Sequence, residues 1–281
     1  MNRSRAAKLM THELSLSQGY VRTPGGYRHK SFLHQLKPGQ AVRKRNGTLH
    51  LQDLADKSLI PVPAAIVRAE DLAGSGGGWV TWATWVNTSG TAISSFATTW
   101  VVPPAPASQS DQLIYLFNGL EDQTGDNILQ PVLQWGVSGA GGGNMWGVAS
   151  WYVDSSHHAF CTALVPVKVG DKLTGVMTLE IQADASLNYA CAFQGIPGTK
   201  LIAQGLSELV QACETLEVYG LTKPTDYPNA SMTAMTDISL EIMSKPAPLR
   251  WVPEVMNNPP FGEHTEIVSG ATPGGEVNLY Y

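Results

Sequence analysis

From Trp79 onwards, turn-forming residues interrupt the chain at short intervals, at Asn87–Gly90, Pro103–Pro106, Gly139–Gly143 and Gly195–Gly198. The runs between them are rich in Val, Ile, Thr, Trp and Tyr, the residues that suit a pleated, half-buried strand. Strands returning every ~10 to 20 residues predict an all-β protein, a two-sheet antiparallel β-sandwich. One stretch reads as helix: in Gly205–Ala212, Leu206, Leu209 and Val210 fall at i, i+3 and i+4, which predicts a short connector. With 43% apolar and 15% charged residues over 281 positions, there is enough apolar material for a core and too little charge for disorder.

Charge divides the chain unevenly. Residues 1–50 carry ten lysines and arginines (Arg3, Arg5, Lys8, Arg22, Arg28, Lys30, Lys37, Arg43, Lys44 and Arg45) against the single acid Glu13, a net +9. The remaining eight basic and 22 acidic residues leave positions 51–281 at −14. Opposite charges of this size predict that the amino-terminal segment docks on its own acidic domain in a salt-sensitive way, as permanent structure or as a removable cover. No recognition-helix pattern or aromatic-studded basic sheet accompanies the basic arm, so nucleic acid is not expected as a partner.

The glycine run Asp71–Gly78 (DLAGSGGG) places a boundary between an extension at 1–73 and a sandwich domain at 74–281. Within the extension, the Pro-Gly-Gly and Asn-Gly signals flank short alternating runs and predict hairpin structure. No apolar run approaches the ~18 residues of a membrane-spanning helix, so no membrane partner is expected. The first residues also lack a signal peptide's apolar stretch, which predicts a cytoplasmic location for the chain as written.

Other motifs carry less. Cys161, Cys191 and Cys213 are odd in number and have no metal-binding spacing. His157 and His158 are adjacent, and neighbours on a strand point apart, so they make a poor joint metal site. His29, His34 and His264 are scattered. No nucleophile elbow supports a serine triad. Gly139–Gly143 lacks the Lys-Ser/Thr of a phosphate loop and reads as a hairpin tip or flap.

Strand parity selects the residues able to line a groove. In Ile128–Trp135, Gln130 and Gln134 share a face with Ile128 and Val132, while Leu129, Leu133 and Trp135 point the other way. Pro131 suggests an edge strand or a bulge. In Cys213–Tyr219, Glu217 shares its face with Thr215 and Tyr219, and Glu214 lies with Leu216 and Val218.

Four segments carry a family resemblance. They are Trp79, Ala83, Phe96 and Trp100 leading into Val101–Pro103; YLFNGLED (Tyr115–Asp122) followed by Ile128–Gln130; SWYVD (Ser150–Asp154) running on to Val167–Glu180; and CETLEVY (Cys213–Tyr219). Together, over about residues 79–242, they resemble the glutamic peptidases, or eqolisins. The resemblance implies a jelly-roll sandwich similar to concanavalin-type lectins and glucanases. It also implies a catalytic pair of Gln130 and Glu217 cleaving peptide bonds at acidic pH without metal or cofactor. In that chemistry a carboxyl with a raised pKa takes a proton from water and passes it to the leaving amine, while an amide steadies the oxyanion. Glu121, Gln134, Trp79, Trp151 and Tyr219 are expected to contact substrate. The family is mostly exported.

The chain departs from that pattern at Trp146 and Ser150, which stand where the family has acidic residues. Glu121 replaces an aspartate, and Val218 a tryptophan. Two alternatives therefore accompany a peptidase: a carbohydrate-active enzyme, glycosidase or lyase, pairing Glu121 with Glu217, and a non-catalytic glycan-binding module with tryptophans stacking on polysaccharide.

Overall fold

A computed structural model describes residues 19–65, 78–181 and 186–281. The glycine run at 71–78, apart from Gly78, lies outside the described residues.

Near the amino terminus, β1 (Tyr20–Thr23) and β2 (Gly26–His29) form a hairpin around the Pro-Gly-Gly turn. The first large sheet runs in the order β20 (Val252–Val255), β7 (Trp79–Val86), β17 (Leu209–Tyr219), β9 (Leu113–Asp122), β10 (Ile128–Ser138), β11 (Gly141–Val153), β12 (Ala159–Cys161) and β3 (Leu33–Gln35), with β13 (Val165–Pro166) also on β11. The second runs β21 (His264–Ser269), β22 (Gly275–Tyr280), β18 (Met232–Ile242), β8 (Ile93–Val101), β14 (Lys172–Ile181), β15 (Leu187–Phe193), β16 (Leu201–Leu206), β4 (Gln40–Arg45), β5 (Thr48–Asp53) and β6 (Leu59–Pro61), with β19 (Lys245–Pro246) on β18. This is the all-β, two-sheet architecture that the turn spacing predicts. Among the described residues, no helix is long and apolar enough to cross a membrane.

Alternation along the central strands sorts side chains into two apolar clusters. Leu129, Leu133, Trp135, Leu116, Leu120 and Leu216 face the second sheet and build the sandwich interior with Trp100, Met177 and Phe193. Tyr115, Phe117, Ile128, Val132, Trp151, Cys213 and Tyr219 face outwards and form a second cluster, against which Tyr27, Leu33, Trp79 and Leu164 pack. All ten residues of β9 are buried, because that strand is covered on both faces. The outer face of the first sheet is thus roofed, in part by the amino-terminal hairpin.

Two expectations are corrected. Gly205–Ala212 is not a helix: β16 runs to Leu206 and β17 starts at Leu209. Gly205 has φ +67°, and a Cβ there would meet the Lys44 carbonyl oxygen at 2.3 Å, so this glycine admits β4 alongside β16. The apolar i, i+3, i+4 triplet is the end of one alternating strand and the start of the next. The sheets, moreover, are not wholly antiparallel, since β3 pairs parallel to β12 and β4 parallel to β16.

Both parallel strands come from the basic segment. Its second hairpin, β4–β5, turns at Asn46 and Gly47 with φ of 51° and 78°, the left-handed pair that a two-residue type I′ turn requires. Ion pairs join the segment to the acidic remainder at Arg22–Asp111 (2.8 Å) and Lys44–Asp154 (3.1 Å). The glycine run at 139–143 forms the tip of the β10–β11 hairpin, as expected.

Candidate active site

Gln130 is carried on β10, inside the sheet rather than at the edge that Pro131 suggests. Proline has no N–H to give, and the pairing of β10 with β9 lapses at Gln130 and Pro131. By continuity of register Gln130 faces Gly119 on one side and pairs with Trp151 on the other. Gly119 in turn faces Cys213 on β17. A Cβ on Gly119 would lie 2.9 Å from the Cys213 sulfur, so the missing side chain is what lets this row close up. The Gln130 side chain is completely buried, and among the described residues neither its oxygen nor its nitrogen has a hydrogen-bond partner.

A cavity of about 690 Å³ opens beside it, lined among others by Glu121, Gln211, Trp79, Asp126, Asp154 and the hairpin residues Gly25 and Arg28. Glu121 pairs with Ile128, two residues from Gln130 on the same face, so Glu121 and Gln130 are diagonal neighbours. The Gln211 amide donates to Glu121 Oε2 over 2.6 Å. Burial raises the Glu121 pKa to about 7, against the lowering effect of that hydrogen bond.

Glu217 shares the face but sits elsewhere along it. It pairs with Tyr115, four residues along β9 from Gly119, which is about 13 Å at the usual strand rise. The structure therefore brings Gln130 together with Glu121, and does not bring Gln130 together with Glu217, the pair that the resemblance implies. Parity was read correctly for both residues, but parity contains no information on register. Glu121 and Glu217, the pair expected of a sugar-cleaving enzyme, are six residues apart along β9, about 20 Å.

The Glu217 carboxyl is completely buried under the hairpin. The Gly25 N–H donates to both its oxygens, at 3.0 and 3.2 Å, and the Tyr219 hydroxyl donates to Oε1. Burial raises its pKa to about 7, while the bonds from Tyr219, Gly25 and Gly78 and the charge of Arg28 act in the opposite direction.

The other predicted substrate contacts divide. Trp79 lines the cavity and stands edge-on to Trp82 and Phe117. Trp151 is buried beside Gln130, its indole nitrogen unpaired. Tyr219 lies between Tyr27 and Tyr115 with its hydroxyl on Glu217. Gln134 is fully occupied elsewhere: it donates to the carbonyls of Gly136 and Gly141 and accepts from Ser138, which fastens the hairpin tip and leaves nothing for a substrate. Trp146 packs on Trp135 in the interior, and Ser150 is buried opposite Pro131 on the same inward face, so neither position lies on the cleft. Gly25, Arg28 and Gln211 were not anticipated at the site. The Pro-Gly-Gly turn and the charge asymmetry were their only signals.

Among the described residues, no three His, Cys, Asp or Glu side chains converge as a metal site. His34 Nε2 and His158 Nδ1 are 2.9 Å apart where β3 meets β12, and burial lowers the pKa of both, that of His34 to about 4.

The fold and the cleft define a two-sheet β protein with a buried amide and a carboxyl of burial-raised pKa beside one cavity. No family model and no curated protein matches the chain. Among solved structures it is distantly similar to a scytalido-glutamic peptidase with a peptide-based transition-state analogue, at 16% identity over 73% of this chain and 98% of that one, with a TM-score of 0.48. It is also similar to SCP-B, an eqolisin-family peptidase in complex with the tripeptide Ala-Ile-His, at 16% identity, the same coverage and a TM-score of 0.47.

Proposed function

We propose that the protein is a hydrolase of mildly acidic pH that cleaves peptide bonds in this cleft by direct attack of water. The observation that carries the reading is the Gln130 amide, buried without a partner and diagonal to a carboxyl that titrates near pH 7. A carboxyl close to its pKa takes a proton from water and returns it to a leaving amine with little driving force lost in either direction. The amide carbonyl orients the water, and its NH2 meets the oxyanion as charge develops, an effect worth ~3 kcal/mol for a well-placed donor. In this assignment Glu121 is the acid and base, Gln130 the oxyanion partner, and Gln211 positions Glu121.

Polypeptide is favoured over polysaccharide for two reasons. The cleft already holds polypeptide, since the turn of the hairpin lines the cavity and gives a backbone N–H to Glu217. The separation of Glu121 from Glu217 also exceeds the ~5 to 10 Å that glycoside hydrolysis uses. The motif resemblance to glutamic peptidases points the same way.

A second reading rests on the Gly25–Glu217 contact: Glu217 is the catalytic carboxyl, and the hairpin is a cover that withdraws before turnover. One experiment separates the two. Cleavage of an unfolded protein is followed by mass spectrometry between pH 3 and 8 for wild type, Glu121→Gln, Gln130→Leu and Glu217→Gln. A loss of 100-fold or more in Glu121→Gln and Gln130→Leu, with Glu217→Gln within tenfold of wild type, supports the first reading. The reverse order of the two glutamates supports the second, and no cleavage by a folded wild type rejects both.

A further inference from the structure

The hairpin gives the cavity more than a roof. Arg28, on β2, lines it, and the residue is only 9% exposed. Among the described residues its hydrogen bond is from Nη1 to the carbonyl of Tyr27, at 3.1 Å, and Nε is buried without an acceptor. Among the described residues no carboxylate comes within ion-pair distance of it, although four acids are close by. Each is accounted for. Glu217 is held by Gly25 and Tyr219. Asp154 is held by Lys44, Ser156 and Tyr152. Glu121 accepts from the Gln211 amide, and burial raises its pKa to about 7. Asp126 is exposed at the rim.

A buried guanidinium with an unsatisfied N–H is costly unless something pairs with it. The same cavity is lined by Gln130, whose Nε2 is a second buried donor without an acceptor. A buried cation without an ion pair among the described residues and a buried amide donor, both in the wall of one cavity, call for an acceptor that carries negative charge.

We propose that the cavity is a carboxylate-binding site, in which the Arg28 guanidinium and the Gln130 amide hold the carboxylate of a peptide ligand. The residue that recognises the ligand then comes from the amino-terminal hairpin, which is part of the site. The carboxylate has two possible sources, the carboxyl terminus of the peptide or an acidic side chain. This inference shares the cavity and the Gln130 amide with the proposed function but does not depend on the proton chemistry assigned there to Glu121.

The test is equilibrium binding of short peptides to the full chain by calorimetry at pH 6. Three probes are used: acetyl-tetraalanine with a free carboxyl terminus, the same peptide as its carboxy-terminal amide, and acetyl-Ala-Ala-Asp-Ala amide. Charge-assisted hydrogen bonds to a carboxylate predict that the amide binds tenfold or more weakly than the free acid. If the aspartyl peptide recovers the affinity, the side chain is the source; if it does not, the terminus is. In Arg28→Gln the preference for a carboxylate falls below twofold, and Arg28→Lys restores part of it. Gln130→Leu weakens all carboxylate binding and leaves the melting temperature within a few degrees, because that amide has no bond to lose. Equal binding of all three peptides to wild type, no binding of any, or an undiminished preference in Arg28→Gln overturns the proposal. Carboxylate preference without cleavage would reject the hydrolase alone, and cleavage without carboxylate preference would reject this site alone.

Discussion

Glu214 on β17 faces Asn118 on β9 inside the sandwich, and each keeps one oxygen, Oε2 and Oδ1 respectively, without a hydrogen-bond partner among the described residues. Thr98 donates to the other carboxyl oxygen, and Asn118 donates to the Gly175 carbonyl. Two facing acceptors are satisfied at once if the carboxyl keeps its proton, and burial holds the Glu214 pKa well above its ordinary value. The folded state then binds a proton that the unfolded chain releases above about pH 4.5, so this contribution is complete below that pH and is lost as pH rises. Glu214→Gln, which supplies a permanent donor, is expected to leave stability unchanged near pH 4 and to raise it by ~1 to 3 kcal/mol at pH 8. Denaturant unfolding at the two pH values checks this, and a larger gain at pH 4 than at pH 8 would contradict it.

Glu121 adds to the same slope. A shift from 4.5 to about 7 corresponds to ~3 kcal/mol of stability, present below pH 4.5 and lost through pH 7. Glu121→Gln should flatten the fall in melting temperature between pH 5 and 8 relative to wild type. Gln211→Leu removes the hydrogen bond that lowers this pKa, so the Glu121 midpoint should rise further, as read by carboxyl carbon NMR.

At the seam between β3 and β12 the sign reverses. His34 is held neutral down to about pH 4, so the stability it contributes is present above pH 6.5 and is lost as pH falls through 4. Protonation would set two cations against each other across the His34–His158 contact, beside Lys44, Asp154 and His157. Amide hydrogen exchange in 33–35 should therefore quicken relative to the central strands below pH 5. His34→Gln should remove that difference.

Gly119→Ala tests the row that Gln130 occupies. The added methyl would lie 2.9 Å from the Cys213 sulfur and 3.0 Å from Ile128 Cδ1, so both must move. A destabilisation of ~1 to 3 kcal/mol is expected, with a loss of whatever Gln130 does in the cavity. Ala at Gly143, where no atom lies within 4 Å, is the control and should change neither.

The strands and their inward and outward faces were legible because alternation is local: Gln130, Glu217 and Glu214 lie on the faces that counting residues assigns them. Register is set by pairing between distant segments, and for that reason Gln130 meets Glu121 rather than Glu217. Gln134 shows a related gap, because composition cannot reveal that an amide on the right face is already saturated by Gly136, Gly141 and Ser138. The segment GLSELVQA misled because eight residues around a turn can mimic a helical repeat. Arg28 was visible only as one charge among ten.

The parallel strands Leu33–Gln35 and Gln40–Arg45 lie only four residues apart in the chain, yet they flank different sheets. A single short stretch therefore shields the backbone of both Ala159–Cys161 and Leu201–Leu206, whose free N–H and C=O groups would otherwise be templates for other chains. The stretch is thus a staple between the two sheets: losing it would uncover Ala159–Cys161 in one and Leu201–Leu206 in the other at once.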